Sequence, residues 1–370
     1  MVKEDRHYLL QIDILKTIAI FAVVGVHSTW ARESVYLNDN AIFYILDPVP
    51  LFFIIMGFNY GLAFKRRNWV SLREMFSKQY FLQRFERFIF PLILIDLISV
   101  VLGAINYIIT EENIIQIHPF VLIGRMLFPG PGHYFLTILL QFIIVFPILY
   151  RLHIIDHKLA VSAGFALDFI FQLIAPYISL FDQYPYLYSA CIFRYLSVIS
   201  MGLWLSENPD LFAKRNWWFF IGLVVSGVYL LSYLLFSYTF PLFRQGTGWD
   251  ASVIFANFYP AFLFLIGIKY LPAQINKHNW IFRNLSELTY HIYLVQVAYF
   301  YLWIVHGFYL QSFGVEIRNF TVLNLIKHFT VYLLNCITCT MLAYGFYWLD
   351  FTIKKNTKKI WALRKPVEEN

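Results

Sequence analysis

The sequence predicts an all-α, polytopic membrane bundle of about ten transmembrane helices, and three observations predict it. Of 370 residues, 59% are hydrophobic and only 14% charged, whereas a soluble domain carries about 25% charged residues. Mean hydropathy is +0.60. Apolar runs of about 20 residues, the length that crosses about 30 Å of hydrocarbon, recur along the chain. This composition excludes a cytosolic enzyme, a secreted disulfide scaffold and a disordered chain. Cys191, Cys336 and Cys339 all fall within apolar runs, so the CxxC spacing reads as helix packing and not as a redox or zinc site.

The runs lie near 8–30, 41–64, 88–109, 133–152, 159–181, 186–205, 216–239, 251–271, 286–308 and 324–349. The first carries Asp13 and Lys16 and is too long for the apolar region of a cleaved signal, so it is expected to remain as a span. In the second, Asp47 precedes Pro48 and Pro50, where a carboxylate can satisfy amides that proline leaves unpaired. The third follows a basic stretch. Before the fourth, Phe128-Pro129-Gly130-Pro131-Gly132-His133 reads as a rigid turn that delivers a histidine to the helix start. The fifth contains Asp168 and the sixth Arg194.

Surplus Lys and Arg mark cytoplasmic loops in a membrane protein. Placing the N-terminus inside puts the 65–87 segment and the tail containing Lys354, Lys355, Lys358, Lys359, Arg364 and Lys365 on the cytoplasmic side. An even number of spans returns the C-terminus to the same side, so both termini are expected to be cytoplasmic. The net charge of +7 is thus topological, with no nucleic acid implied. Residues 1–350 read as a single transmembrane domain and 351–370 as a basic cytoplasmic tail.

A charge at mid-bilayer costs at least about 2.5–3.5 kcal/mol, so each needs a partner, a wet cavity or a function. Lys16 and His27 are eleven residues apart, about three helical turns and roughly 16 Å. They share a face. Asp13 is one turn below Lys16, within reach of an ion pair. The stripe is either a structural pair with an interfacial histidine or the lining of an access route to a general base, the role for which imidazole is best suited. Arg194 must face the bundle, toward Asp96, Asp168 or a bound anion. His133, Glu33, Arg32, Trp249 and Asp250 face the outside, as substrate contacts or as a solvated rim. No His, Cys and carboxylate set has metal-ligand spacing, so no metal is expected.

Asp13-Ile14-Leu15-Lys16, followed after ten residues by His27-Ser28, resembles the opening of the integral-membrane acyltransferase 3 family, where a basic residue, ten residues and a histidine mark the first helix. Val49 to Phe58 (VPLFFIIMGF) is similar to the family's second-helix segment. Arg84-Phe85-Glu86-Arg87-Phe88-Ile89-Phe90-Pro91 is similar to its arginine-rich start of the third helix. His133-Tyr134-Phe135-Leu136 and Thr289-Tyr290-His291-Ile292-Tyr293-Leu294-Val295-Gln296 resemble two later segments, in family order. Three positions depart from the pattern. Lys16 replaces the commoner arginine, Met56 the serine before Gly57, and Gln296 a late histidine.

The resemblance implies an enzyme that moves an acetyl or succinyl group from acyl-coenzyme A in the cytoplasm to a hydroxyl of a sugar, cell-surface polysaccharide or lipid-linked glycan. In that reading Arg84, Arg87, Arg66 and Arg67 bind the coenzyme A phosphates. His27 serves as base or acyl carrier, Lys16 and Asp13 shape the stripe, and Glu33 or Asp250 orients the imidazole. His133, Arg194 and Asp250 are the candidate substrate contacts. A multi-pass protein of a prokaryotic plasma membrane is expected. The alternative is a transporter or flippase of glycan or lipid intermediates, since buried charges in about ten helices also suit a carrier.

Overall fold

A computed structural model describes residues 9–28, 48–207, 217–236, 238, 240, 253–274, 280–308, 310–314 and 321–363. These residues form helices, turns and connecting segments, with no strand among them. Ten principal helices are α1 (Leu10–Ser28), α2 (Pro48–Arg66), α3 (Phe90–Thr110), α4 (Tyr134–Ile155), α5 (His157–Ile174), α6 (Leu196–Leu205), α7 (Trp217–Phe236), α8 (Phe258–Tyr270), α9 (Trp280–Val305) and α10 (Val322–Leu363). Among the described residues, eight helical stretches are long and apolar enough to cross a membrane, and two shorter apolar helices lie at Phe219–Ser232 and Ile254–Tyr270. The chain is therefore a multi-pass helical membrane protein.

Helix α1 occupies the centre. Its apolar window is 83% buried, against 28% for the His157–Tyr177 stretch, because α1 packs on α2, α8, α9 and α10. Peripheral helices leave an apolar face outward: Ile108, Leu122, Val224 and Met341 are all exposed, as expected where lipid replaces water as the neighbour. The closest helix pair is α2 and α6. A methyl group on Gly57 would collide with the Ile199 backbone, and one on Gly202 with that of Ile54. Small residues thus let the two backbones touch.

Three elements differ from the expected spans. The sixth is broken: Pro185 opens a one-turn helix to Ser189, Cys191 is extended, and Ile192–Tyr195 is a 3₁₀ turn ahead of α6. Gln141 of α4 satisfies the break, donating to the Ala190 carbonyl at 2.7 Å and accepting from the Ile192 amide at 3.0 Å. Arg194 therefore sits in this turn and not in the middle of a continuous helix. The eighth is a 13-residue helix, about 20 Å long. The tenth extends through Leu363, so the first part of the basic tail continues the helix. The third is entered through Lys78–Arg84 and a π turn at Phe85–Ile89. Pro91 supplies the reason, because it has no amide to donate and its ring crowds the carbonyl four residues back.

Candidate active site

A cavity of about 660 Å³ lies against α1, and Asp13, Lys16, Ile20, Val23 and His27 all line it. Asp13, Lys16 and His27 among them are the stripe predicted from helical spacing. Its other walls come from α2, the π-turn segment, the start of α4 and α9. Helices α1 and α9 run parallel: Thr17 faces the Phe282 carbonyl, Lys16 faces Ser286, and His27 faces Phe300. Position along the cavity can therefore be read on either helix.

At one end Asp13, Lys16 and Ser286 form a closed set. Lys16 donates to Asp13 at 3.4 Å and to Ser286 Oγ at 3.3 Å, and Ser286 Oγ–H donates to Asp13 Oδ1 at 2.5 Å. Beside them the cavity is lined by Arg84, Arg87 and Arg283. The π turn matters here, since it brings both Arg84 and Arg87 to the cavity wall. Among the described residues neither arginine pairs with a carboxylate within 4.0 Å. Arg84 instead lies over the Tyr60 ring at 4.2 Å and the Tyr80 ring at 5.0 Å, and Arg87 over Phe88 at 5.2 Å. Arg283 pairs with Glu287 at 3.5 Å on an exposed face. Two guanidinium groups that stack on rings and lack counter-charges form a ready anion site.

At the other end His27 is 6% exposed and turns a ring edge toward Phe300, with centroids 6.2 Å apart. No described residue hydrogen-bonds its imidazole. Gly132 closes this end: its φ is +84°, and a methyl group built there would sit 3.1 Å from His27 Nε2 and 3.9 Å from Gln296 Nε2. Both the left-handed backbone and the close approach of two side chains call for glycine. Tyr293 holds the turn, its hydroxyl donating to the Gly132 carbonyl at 2.6 Å.

The other predicted site residues are placed elsewhere. Arg67 donates to Gln83 at 2.8 Å and lies over Trp69, and neither it nor Arg66 is among the cavity-lining residues. His133 follows Gly132 but stacks on Tyr186 at 4.9 Å and donates Nδ1–H to the Gly130 carbonyl at 2.7 Å. Burial pushes its imidazole down to about 4, so it is neutral at neutral pH. Arg194 is 1% exposed, over the Tyr188 ring at 4.7 Å and within electrostatic reach of Asp168. Asp96, the other carboxylate expected to reach it, accepts the Leu127 amide at 3.0 Å. Glu33, Asp250, Arg32, Asp47 and Trp249 lie outside the described residues.

Sequence reasoning did not single out Arg283, Ser286, Tyr60 or the His291–Asp350 pair, in which Nε2 and Oδ2 are 3.1 Å apart. One signal was available for α9. Arg283, Ser286, Tyr290, Tyr293 and Gln296 recur every three or four residues, which marks one polar face.

Fold and cavity together define a multi-pass helical membrane protein with a chamber that runs from a cationic end to a buried histidine. The family model for the acyltransferase 3 family, described as an acyltransferase domain, matches residues 9–348. The chain belongs to this family and is a membrane-embedded acyltransferase. Searches of curated proteins and of solved structures found no match.

Proposed function

We propose that the protein is an O-acyltransferase of the cell membrane that takes an acetyl or succinyl group from acyl-coenzyme A to a hydroxyl of a sugar, a cell-surface polysaccharide or a lipid-linked glycan. The observation that carries this reading is one cavity lined at one end by Arg84 and Arg87, which pair with no carboxylate among the described residues, and at the other by His27. Coenzyme A has the matching polarity, with a phosphate-bearing head and a thioester at the far end of a long arm. Arg84 and Arg87 would hold the phosphates with Arg283 beside them. The arm would follow the α1 stripe past Lys16 over roughly 16 Å of helix rise to His27. In this orientation the arginine end faces the cytoplasm.

The reaction follows from what lies at the histidine end. His27 accepts the proton of the acceptor hydroxyl while the hydroxyl oxygen bonds to the thioester carbonyl carbon. The carbonyl π pair moves onto its oxygen. Collapse of that oxyanion expels the sulfur with the C–S electron pair, and the thiolate takes the proton from the imidazolium to give free coenzyme A. Asp13 and Ser286 hold Lys16 in place, so a fixed ammonium faces the cavity one helix stripe below the reacting atoms.

The test is coenzyme A release from acetyl-coenzyme A by the purified protein in lipid, with and without cell-envelope glycan, for wild type and His27→Ala. The expected outcome is release that rises with glycan and falls on the order of 10³-fold in the variant, within the range for loss of a general base. A donor-dependent acyl label retained on His27 would replace direct transfer by a carrier mechanism. Folded wild-type protein that releases nothing from acetyl- or succinyl-coenzyme A would overturn the donor assignment.

A further inference from the structure

Gln296 is 0% exposed, and neither its Nε2 nor its Oε1 finds a hydrogen-bond partner among the described residues. A carboxamide that is buried without partners is unfavourable in any apolar surrounding. Among the described amides Gln172 and Gln141 each employ both ends of their side chains, Gln11 and Asn335 each leave one atom unmatched, and Gln296 leaves both. Gln296 is thus held where no described residue gives it a hydrogen-bond partner. It is not itself among the residues that line the cavity, but it lies next to the histidine end. His27 Nε2 and Gln296 Nε2 both lie within 4 Å of one point on the open face of Gly132, and Tyr293, one turn earlier on α9, fixes the Gly132 carbonyl.

From this geometry we infer that Gln296 is a catalytic residue of the acyl transfer, its Nε2–H donating to the thioester carbonyl oxygen as that oxygen becomes the oxyanion. The inference rests on the acyl-coenzyme A reading above. Proton and electron bookkeeping is that of the step already written: the amide gives a hydrogen bond and loses no proton. The group is suited to the task, because a neutral donor already held in a water-poor site stabilises developing charge without reorganising. Its Oε1 remains free to accept from a second hydroxyl of the acceptor, which favours a polyol such as a sugar. Gly132 is part of the device, since any side chain there would occupy the space that the reacting carbonyl shares with His27 and Gln296.

The experiment compares Gln296→Leu and Gln296→Glu with wild type in the acetyl-coenzyme A assay and in thermal unfolding of the detergent-solubilised protein. Leu removes both ends of the amide, whereas Glu keeps the size and an acceptor oxygen but removes the N–H donor. Both variants are expected to lose about 10²–10³-fold in kcat, the range for deletion of one oxyanion donor, with KM for acetyl-coenzyme A changed less than threefold. The Leu variant is expected to unfold at or above the wild-type temperature, because it deletes two unpaired polar atoms. A structural glutamine would give the opposite pattern, with activity and unfolding temperature falling together, and that result overturns the inference. So does wild-type kcat in either variant. An inactive wild type overturns both the donor reading and this inference, whereas an active wild type with active variants overturns the inference alone.

Discussion

Two clusters of polar side chains are buried in this bundle, and they are built on opposite principles. Between α5, α6 and the turn before α8, Asp168 accepts hydrogen bonds from Ser197, Gln172 and Asn257, Asn257 also donates to Ser197 at 2.6 Å, and Gln172 Oε1 accepts the Ile254 amide. Both carboxylate oxygens are used, and Arg194 supplies a positive charge within electrostatic reach. The second cluster, His27, Gln296 and Gly132 at the end of the cavity, holds an imidazole and an amide that no described residue satisfies. Burial alone therefore does not mark the site. The Asp168 cluster ties three helical segments together, whereas Gln296 keeps both amide atoms without a described partner beside His27.

The contrast can be broken most sharply at the completed cluster. Asp168→Ala removes the shared acceptor of three donors and the charge facing Arg194, and a loss of about 3 kcal/mol in stability is expected. Denaturation in mixed micelles should record that loss, while the activity of the remaining folded protein stays near wild type. A kcat loss larger than the loss of folded protein would place Asp168 in the reaction and erase the distinction.

The cationic end gives a smaller effect. Arg84→Gln and Arg87→Gln should each raise KM for acetyl-coenzyme A about tenfold, equivalent to about 1.4 kcal/mol, with kcat largely retained. Arg66→Gln and Arg67→Gln, which do not line the cavity, should leave KM unchanged in the same titration. Equal effects at all four positions would favour a diffuse basic surface over a built anion site.

The mildest change is Asp13→Asn, which keeps an acceptor for Ser286 and Lys16 but removes the charge. With Lys16 still bound to Ser286 at 3.3 Å and the amide oxygen still able to accept from both partners, a cost of about 1 kcal/mol in stability is expected, the size of one weakened hydrogen bond. Steady-state turnover with saturating donor should be nearly unchanged. A collapse of kcat in this variant would show that the carboxylate acts in catalysis and does more than hold Lys16.

The share of the site that was legible in the sequence follows from which residues lie on one helix. Asp13, Lys16 and His27 were placed on one stripe by helical arithmetic, and the cavity follows that stripe. The arginines of Arg84-Phe85-Glu86-Arg87 were correctly separated from the apolar run behind them, although the π turn that turns both toward the cavity comes from Pro91. Arg66 and Arg67 illustrate the limit: they share composition and neighbourhood with Arg84 and Arg87, yet Arg67 is taken up by Gln83 and Trp69. The broken sixth span was hidden because Pro185 to Leu205 is apolar enough to read as one helix, and the side chain that repairs it, Gln141, lies on α4.

The sequence by itself determined the membrane class, the approximate spans and the stripe on α1, because hydropathy and a rise of about 1.5 Å with about 100° per residue act within a single segment. Only the tertiary structure decided that Ser286 completes Asp13 and Lys16 across 270 residues, that Asp168 lies within electrostatic reach of Arg194, and that Gln296 and Gly132 meet at His27. In a bilayer both lipid and protein interior are apolar, so hydropathy does not say which helix is a neighbour. That choice is made by close-fitting surfaces such as Gly57 against Ile199 and by the pairing of buried polar groups, and neither leaves a periodic trace along the chain.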